Sequence, residues 1–444
     1  MFLTPYFKFW YYSNYYIEYL RFEKLFLHLD LDSFFASAHR SIDDSLIGKP
    51  VAVGSRSNLD IFAKQRNEVK LINDNSGAFV TPVFDSKKSK SFRDRFVDII
   101  DGKEKIRGIV VTSTYEARAY GVKTGMSLSE ALHLCPQLII IPSDYPLYHK
   151  LSKDVNHYLE YKIPKTEQFS IDEWFGDVSG WIDDKDILVF AKELQNEIKS
   201  NFNLPISIGI SKAKWIAKLA TEFAKPKGIY KVDNIESFIQ NIPIKDFPGI
   251  GKGYYERLEG RGIETLGDIK PHKNLFYTWG KSGIQLYNRI HGIDNEPISP
   301  KAPKKSIGLS RTFDAIQNRQ EIKRMIAILC RNITYMVEQL RVNPTTYYLK
   351  VNYQYGLKKK DTITIHRVFN EQLFKKTILD IFNQIDAKNY PAIKLSVNVS
   401  NFSTNQTLDI FELQNDTKQQ TLTHSIHTLR EKFGLDIIKS GGEL

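Results

Sequence analysis

Short apolar blocks alternate with polar, helix-period stretches along most of this chain. The first ordered block is 24–31, KLFLHLDL, whose nearly unbroken apolar run reads as a buried strand. It ends in LDLDSFFASAH, where a helix is expected with Asp32 or Ser33 as its N-cap. Two more apolar strands are expected at 50–54 (PVAVG) and 108–112 (GIVVT). Between them, 55–107 is polar, aperiodic and locally basic, and reads as an insertion, because long structureless connections are rare in compact domains. From 142 to 232 the pattern alternates. Helices are expected at 148–161, 185–201 and 212–224, with extended segments at 168–178 and 206–210, which predicts an α/β sheet with helices on one face. Residues 242–293 are Gly-rich with helical period, a small all-α unit. A Pro-punctuated linker at 297–303 (PISPKAP) precedes a second α+β unit at 304–402, with strands at 347–353, 361–366 and 392–399. Beyond it, 403–444 reads as a polar tail with one helical stretch, 420–432.

Length and charge sharpen this picture. At 444 residues the chain holds roughly three domains of about 150 residues each. With 42% hydrophobic and 25% charged residues it is globular rather than disordered. Lys and Arg number 62 against 51 acids, a surplus of +11 that favours a polyanionic partner. Two distant cysteines, Cys135 and Cys330, exclude a disulfide scaffold or a Cys-based zinc site and point to a reducing, cytoplasmic setting. No run of eighteen apolar residues exists, so no membrane span is expected. Eleven of the first 24 residues are aromatic, yet they lack the pattern of a signal peptide. No role is read from them.

Six constellations carry possible chemistry. Asp30 ends the first strand, and Asp172-Glu173 sit in QFSIDEWFGDVS at an expected hairpin apex. Clustered carboxylates at a sheet edge repel unless a cation neutralises them, and Mg²⁺ takes carboxylate oxygens together with substrate phosphates. Taken singly, each acidic motif is a solvated turn on the simpler reading. Thr112, Tyr115 and Arg118 in TSTYEAR offer a hydroxyl, a phenol and a guanidinium that suit a triphosphate. Lys218 lies on the helix after the strand 206–210, where a point cation meets phosphates. Ordinary helix surface charge is the simpler alternative for both. Gly249 and Gly251 in PGIGK, with Lys252 opening a helix, read as a helix–hairpin–helix grip on a nucleic-acid backbone or as a tight helix–helix turn alone. Lys304, Lys305, Ser306, Ser310 and Arg311 in KKSIGLSR mix cations and hydroxyls suited to phosphate contacts, or form a solvated linker.

In their order and spacing these motifs resemble the Y-family, translesion (impB/mucB/samB-type) DNA polymerases. The resemblance runs through 27–39, 108–126, 168–178, 206–228, 247–269 and 304–313 and covers roughly 25–402. It implies a multidomain α+β right-hand polymerase. The palm would be 25–40 with 138–232, and the fingers 41–137 with the insertion inside them. The helix–hairpin–helix thumb would be 233–298 and the little finger 304–402. It implies that Asp30, Asp172 and Glu173, with the Leu31 carbonyl, hold two Mg²⁺ ions as the catalytic centre. Phe35, beside Phe34, would be the steric gate, and Thr112, Tyr115, Arg118 and Lys218 would clasp the triphosphate. Gly249, Gly251, Lys252, Lys304, Lys305, Ser306, Ser310 and Arg311 would hold primer–template DNA. The activity implied is low-fidelity, template-directed transfer from dNTP to a primer 3′-hydroxyl in DNA damage tolerance, by a monomer in the cytoplasm.

Three departures stand against the family pattern: the length of 55–107, Ala38-His39 in place of an apolar–Glu pair, and Trp174 after the acids. None removes a ligand. In the tail, Gln406, Leu408, Asp409, Ile410 and Phe411 (QTLDIF) resemble a sliding-clamp-binding peptide, an extended strand with apolar anchors. LREKFGLDIIKS at 429–440 resembles the C-terminal end of the bacterial mutagenesis polymerases. A non-catalytic DNA-binding accessory is the rival reading, against which the retained acids argue. A cyclase-like enzyme sharing the palm would not need 247–313.

Overall fold

The run LFLHLDL forms the strand Phe26–Leu31, buried along its whole length because it is the central strand of a five-stranded sheet. A computed structural model describes residues 24–57, 59–63, 69–72, 83–86, 91–100, 102–299, 304–402 and 410–444. Across the sheet the order is Ile229–Lys231, Ile206–Ser211, Phe26–Leu31, Glu173–Asp177 and Lys165–Gln168. Only the first pair is parallel. Leu27, Leu29 and Leu31 stand opposite Ile210, Ile208 and Ile206 and pack as one layer against the helices Tyr145–Lys162 and Ile187–Phe202. Alternation sends His28 and Asp30 to the opposite face.

That opposite face is not free of helices, as the sequence pattern predicts. The helix Lys214–Ala224 lies on it, with Thr221 Oγ1 2.8 Å from Nδ1 of His28. Gly209 makes the approach possible: a Cβ there would stand 2.1 Å from the Ala217 carbonyl oxygen and 2.5 Å from the Thr221 nitrogen. Any side chain at 209 would push the helix off the sheet.

A three-stranded sheet joins Val51–Ser55 to Ile109–Ser113 (antiparallel) and to Ile139–Pro142 (parallel). The expected aperiodic insertion carries structure where it is described. Val69–Ile72 pairs with Val83–Ser86, and Val97–Ile100 pairs with Lys103–Ile106. A short helix, Phe92–Phe96, starts in a Ser91–Asp94 capping box and sinks Phe96 into the core of the three-stranded sheet. Short hairpins of charged residues leave no clear period in the sequence.

Residues 235–290 form a run of short helices joined by turns, from Ile235–Ile239 to Gly280–Ile290. The last sheet is antiparallel, in the order Ser306–Ile316, Ala392–Phe402, Pro344–Tyr353 and Lys358–Thr364, backed by the helices Arg319–Leu340 and Glu371–Ile385. Its first strand corrects the linker reading of 304–313. Ile307, Leu309 and Phe313 alternate inward there, an apolar period of two hidden among cations.

The polar-tail reading of 403–444 is also corrected. One helix runs over Ile410–Phe433, and the chain after it docks on the helix Arg319–Leu340. Arg331, wholly buried, donates to Glu443 and to the Leu435 carbonyl, both at 2.6 Å, and pairs with Asp436 at 2.7 Å. Ile410 and Phe411 open that helix and so do not adopt the extended form expected of a clamp-binding strand; Gln406, Leu408 and Asp409 lie outside the described residues. Both cysteines are free and buried. Among the described residues no helix is long and apolar enough to cross a membrane.

Candidate active site

The antiparallel register of the central strands sets Asp30 directly opposite Glu173, and the Leu31 N–H donates to the Asp172 carbonyl at 3.0 Å. Three carboxylates from two segments far apart in sequence thus meet at one end of the sheet. Two lysines from the covering helix and its end close over them. Lys218 Nζ lies 2.7 Å from Glu173, and Lys225 Nζ lies 2.9 Å from Asp30. Asp172 instead accepts from the Ser170 hydroxyl. Burial pushes the Asp30 carboxyl up to about 8; Lys225 works against this, while Glu173 and Asp172 reinforce it. Burial likewise raises Asp172, with Glu173 adding to it.

Behind Lys218, His28 is kept neutral: burial, then Lys218 and Lys225, hold its pKa well below the ordinary value. Thr221 gives its hydroxyl proton to the Ala217 carbonyl at 3.0 Å. Nδ1 of His28 therefore donates to Thr221, leaving the Nε2 lone pair turned toward Lys218 at 3.5 Å.

Asp32 looks like Asp30 in the sequence but is spent on structure. Its oxygens accept from the Ser207 hydroxyl at 2.9 and 3.0 Å, from the Lys227 N–H at 2.8 Å and from the Tyr115 hydroxyl at 3.3 Å. That last bond ties the segment 112–118 to the carboxylate end of the sheet. Burial, reinforced by Asp32, pushes the Tyr115 phenol up to about 12, so it remains a donor. Thr114 caps the short helix Tyr115–Arg118, and Arg118 leans over the Tyr115 ring at 4.7 Å while donating to the Ser113 carbonyl. Thr112 lies one residue before that carbonyl, at the end of the strand Ile109–Ser113.

Ser33 is the helix N-cap, as expected, but with φ 47° and no capping bond from its side chain. A left-handed non-glycine residue beside such a cluster stores on the order of 1–3 kcal/mol of strain. Phe34 is only 2% exposed inside the core of the five-stranded sheet, which removes it as a substrate contact. Phe35 is half-buried and stacks on Tyr148, with ring centroids 4.3 Å apart and planes 16° from parallel.

The DNA-directed candidates fall on two separate surfaces. Gly249 has φ 104°, a conformation that requires glycine, and Gly251 precedes the helix Lys252–Glu259, whose Lys252 side chain is exposed. On the last sheet, Ser306 and Ser310 share the outer face, and Lys304 and Lys305 lead into it. Arg311 falls on the other parity, with Ile307 and Leu309, and so is not part of that face. A cross-strand row missing from the sequence reading, Ser310, Ser396, Lys350 and Lys360, extends the outer face over four strands. Lys225 is the other omission, and the signal was present: a lysine immediately before Pro226, where the helix must end.

The donor set fits a hard divalent cation. Three oxygen-ligand side chains converge, two of them carry raised pKa values, and ammonium groups occupy two of them. With the lysines so engaged, no group of three His, Cys, Asp or Glu side chains among the described residues stands ready to hold an ion.

Comparison with known proteins adds an independent line. Residues 76–222 match the impB/mucB/samB family model, and 304–410 match that family's C-terminal domain. A DNA polymerase IV of Alkaliphilus oremlandii is 32% identical over 368 residues, 74% of this chain and 88% of that protein. DNA polymerase IV 1 of Halalkalibacterium halodurans is 29% identical over 439 residues, 95% and 94% of the two chains. Among solved structures, a Y-family DNA polymerase chimera, Dbh-Dpo4(243-245)-Dbh, shares the fold at 20% identity with a TM-score of 0.67, over 86% of this chain and all of that one. The convergent carboxylates, the relatives and the shared fold lead to one conclusion: the chain belongs to the impB/mucB/samB family and is a DNA-directed DNA polymerase of the Y-family, translesion type.

Proposed function

We propose that this chain extends a primer 3′-hydroxyl on a template by two-metal nucleotidyl transfer, with the palm at 25–40 and 138–232, the fingers at 41–137, the thumb at 233–298 and the little finger at 304–402. The observation that carries the reading is the Asp30–Glu173 pairing with a lysine on each acid. Asp30, Asp172, Glu173 and the Leu31 carbonyl would hold two Mg²⁺ ions. Bound there, Mg²⁺ activates the hydroxyl and neutralises charge on the phosphates.

The remaining work belongs to the chain. Lys225 and Lys218, paired with these acids here, would be available to the triphosphate if the carboxylates held a divalent cation instead. Arg118 and Tyr115, locked to each other and to Asp32, orient the phosphates from the fingers side. The bond from the 3′-oxygen to the α-phosphorus forms as the bond to pyrophosphate breaks, and no covalent enzyme intermediate is involved. Phe35, backed by Tyr148, sits where a sugar 2′-hydroxyl would be refused. Gly249, Gly251 and the helix at Lys252 grip the backbone on the thumb side, and the outer face of the last sheet grips it on the other, so binding is salt-dependent and indifferent to sequence. Residues 406–411 would engage a sliding clamp only with 410 and 411 released from their helix.

Primer extension with Mg²⁺, one primer–template and four dNTPs tests the assignment. Asp30→Asn and Glu173→Gln should abolish extension with primer–template affinity almost unchanged. Near wild-type extension by either variant would remove these residues from the centre.

A further inference from the structure

Early in the long insertion, Ser57 and residues 59–63 lie against another unit. Ile61 and Phe62, 1% and 7% exposed, are members of the little-finger core and not of the fingers core. Polar contacts surround this plug. The Thr312 N–H donates to Ser57 Oγ at 3.2 Å, and Arg324 Nη2 donates to the Phe62 carbonyl at 2.8 Å. From the other end of the insertion, Arg107 donates to Asp314 at 3.2 Å. Both ends therefore meet the same place on the little finger: the open edge of the strand Ser306–Ile316 and the helix Arg319–Leu340 beside it.

The chemistry of that place explains why it is covered. The strand is at the edge of its sheet, so its outward N–H groups lack a ladder partner, and Ser57 takes one of them. A solvated surface loop has no reason to bury an adjacent Ile and Phe in another unit's core. Apolar side chains inserted this way cannot leave without exposing both themselves and their socket to water.

We infer that Ser57, 59–63 and Arg107 form a clasp that fixes the little finger to the fingers before DNA arrives, with Ile61 and Phe62 as positioning residues. The consequence for DNA rests on the polymerase reading above; the clasp itself does not. A little finger that wanders is correctly placed for only a fraction of the time, and apparent affinity for primer–template falls by that fraction. Neither residue touches the carboxylate cluster, so the effect belongs to DNA affinity and not to the chemical step.

The test measures the clasp first without DNA. Spin labels at Ser129→Cys, on the helix Leu128–Leu134, and Lys376→Cys, on the helix Glu371–Ile385, report the distance between fingers and little finger in the full chain. The clasp requires one narrow distance distribution, broadened by Phe62→Asp and kept by Phe62→Leu. Should Phe62→Asp fail to fold, Ser57→Ala combined with Arg107→Ala removes two of the polar contacts without placing charge in the core, and broadening is again expected. An unchanged narrow distribution in the folded variant overturns the clasp. Primer–template titration then reads the positioning role: the dissociation constant should rise roughly fivefold or more, with kcat at saturating DNA unchanged. Unchanged affinity in a protein with a broadened distribution overturns that role. Failure of the polymerase reading would look different, since no variant and no wild type would extend a primer while the distances still report the clasp.

Discussion

Lys225 holds Asp30 at 2.9 Å, the lysine just past the end of the helix Lys214–Ala224 and the aspartate on the central strand. Burial works against the ammonium, but Asp30 and Glu222 outweigh it and hold the Lys225 pKa above its usual value. The pair is therefore charged on the lysine side throughout the physiological range, with the ammonium held between Asp30 and Glu222. Were a divalent ion to take the carboxylate, the lysine would be available to a triphosphate.

Lys225→Ala should accordingly raise the KM for dNTP at least tenfold, about 1.4 kcal/mol, with a smaller change in kcat. Lost phosphate binding acts on ground state and transition state alike, which is why KM carries the effect. Steady-state kinetics at saturating primer–template would show it. An unchanged KM would mean that Lys225 only neutralises Asp30.

The buried ion pairs of the C-terminal segment make stability depend on pH. Burial alone would raise the Glu443 carboxyl, but Arg331 and Lys375 outweigh it and hold it at about 2, against an ordinary 4.5. A carboxyl depressed on folding contributes stability that is fully present above about 4.5 and is lost as pH falls toward 2. That contribution is of order 3 kcal/mol at about 1.4 kcal/mol per unit. Thermal unfolding of the wild type should weaken steeply below pH 4.5, and Glu443→Gln should flatten that slope while lowering stability at pH 7. Parallel curves for the two proteins would contradict the assignment.

Gly209→Ala tests the helix–sheet contact that places both lysines. The added Cβ would meet the Ala217 carbonyl oxygen at 2.1 Å, and backbone cannot step aside as a flexible side chain can. Overpacking of this kind costs about 1–3 kcal/mol, and extension should fall with it although Gly209 faces no substrate. Full activity at wild-type thermal stability would show that the helix tolerates displacement.

Much of this was readable from residues alone because its signals are local. LFLHLDL announces a buried strand, the acids stand at strand ends, and Pro-Gly-Ile-Gly-Lys announces a turn into a helix. What was not readable depends on pairings across the fold. Asp30 and Asp32 are alike in sequence, and only the turn after Leu31, which hands Asp32 to Ser207 and Lys227, separates ligand candidate from anchor. Lys218 and Lys225 both look like helix surface charge until Gly209 lets their helix onto the sheet. Arg331 finds Glu443 at a separation of 112 residues, so the tail reads as polar and solvated although its charges are buried. The strand at Ser306–Ile316 was masked by the lysines that lead into it and by Arg311 on its inner parity, and no local signal shows that Ile61 and Phe62 pack in a distant core.

Phe35 is the proposed gate for sugar choice. Its ring lies against Tyr148 at 4.3 Å in a stacked pair, and Tyr148 is itself fixed by a hydrogen bond shared with His39 Nε2 at 2.8 Å. Phe34, packed in the core, cannot substitute for it. The ring is thus a rigid floor on the helix that starts at Ser33, immediately after the loop from Asp30. A 2′-hydroxyl above a rigid floor must clash or shift the reacting phosphate, and a small shift from in-line geometry costs on the order of a hundredfold in rate. Phe35→Ala should therefore reduce discrimination between a dNTP and its matching rNTP at least tenfold, about 1.4 kcal/mol, chiefly through faster rNTP insertion. Tyr148→Ala should move the ratio the same way by less, because it loosens the floor without removing it. Single-nucleotide insertion kinetics on one primer–template measure both. If Phe35→Ala merely slows dNTP insertion and leaves the ratio where it was, Phe35 is a packing residue and the gate lies elsewhere.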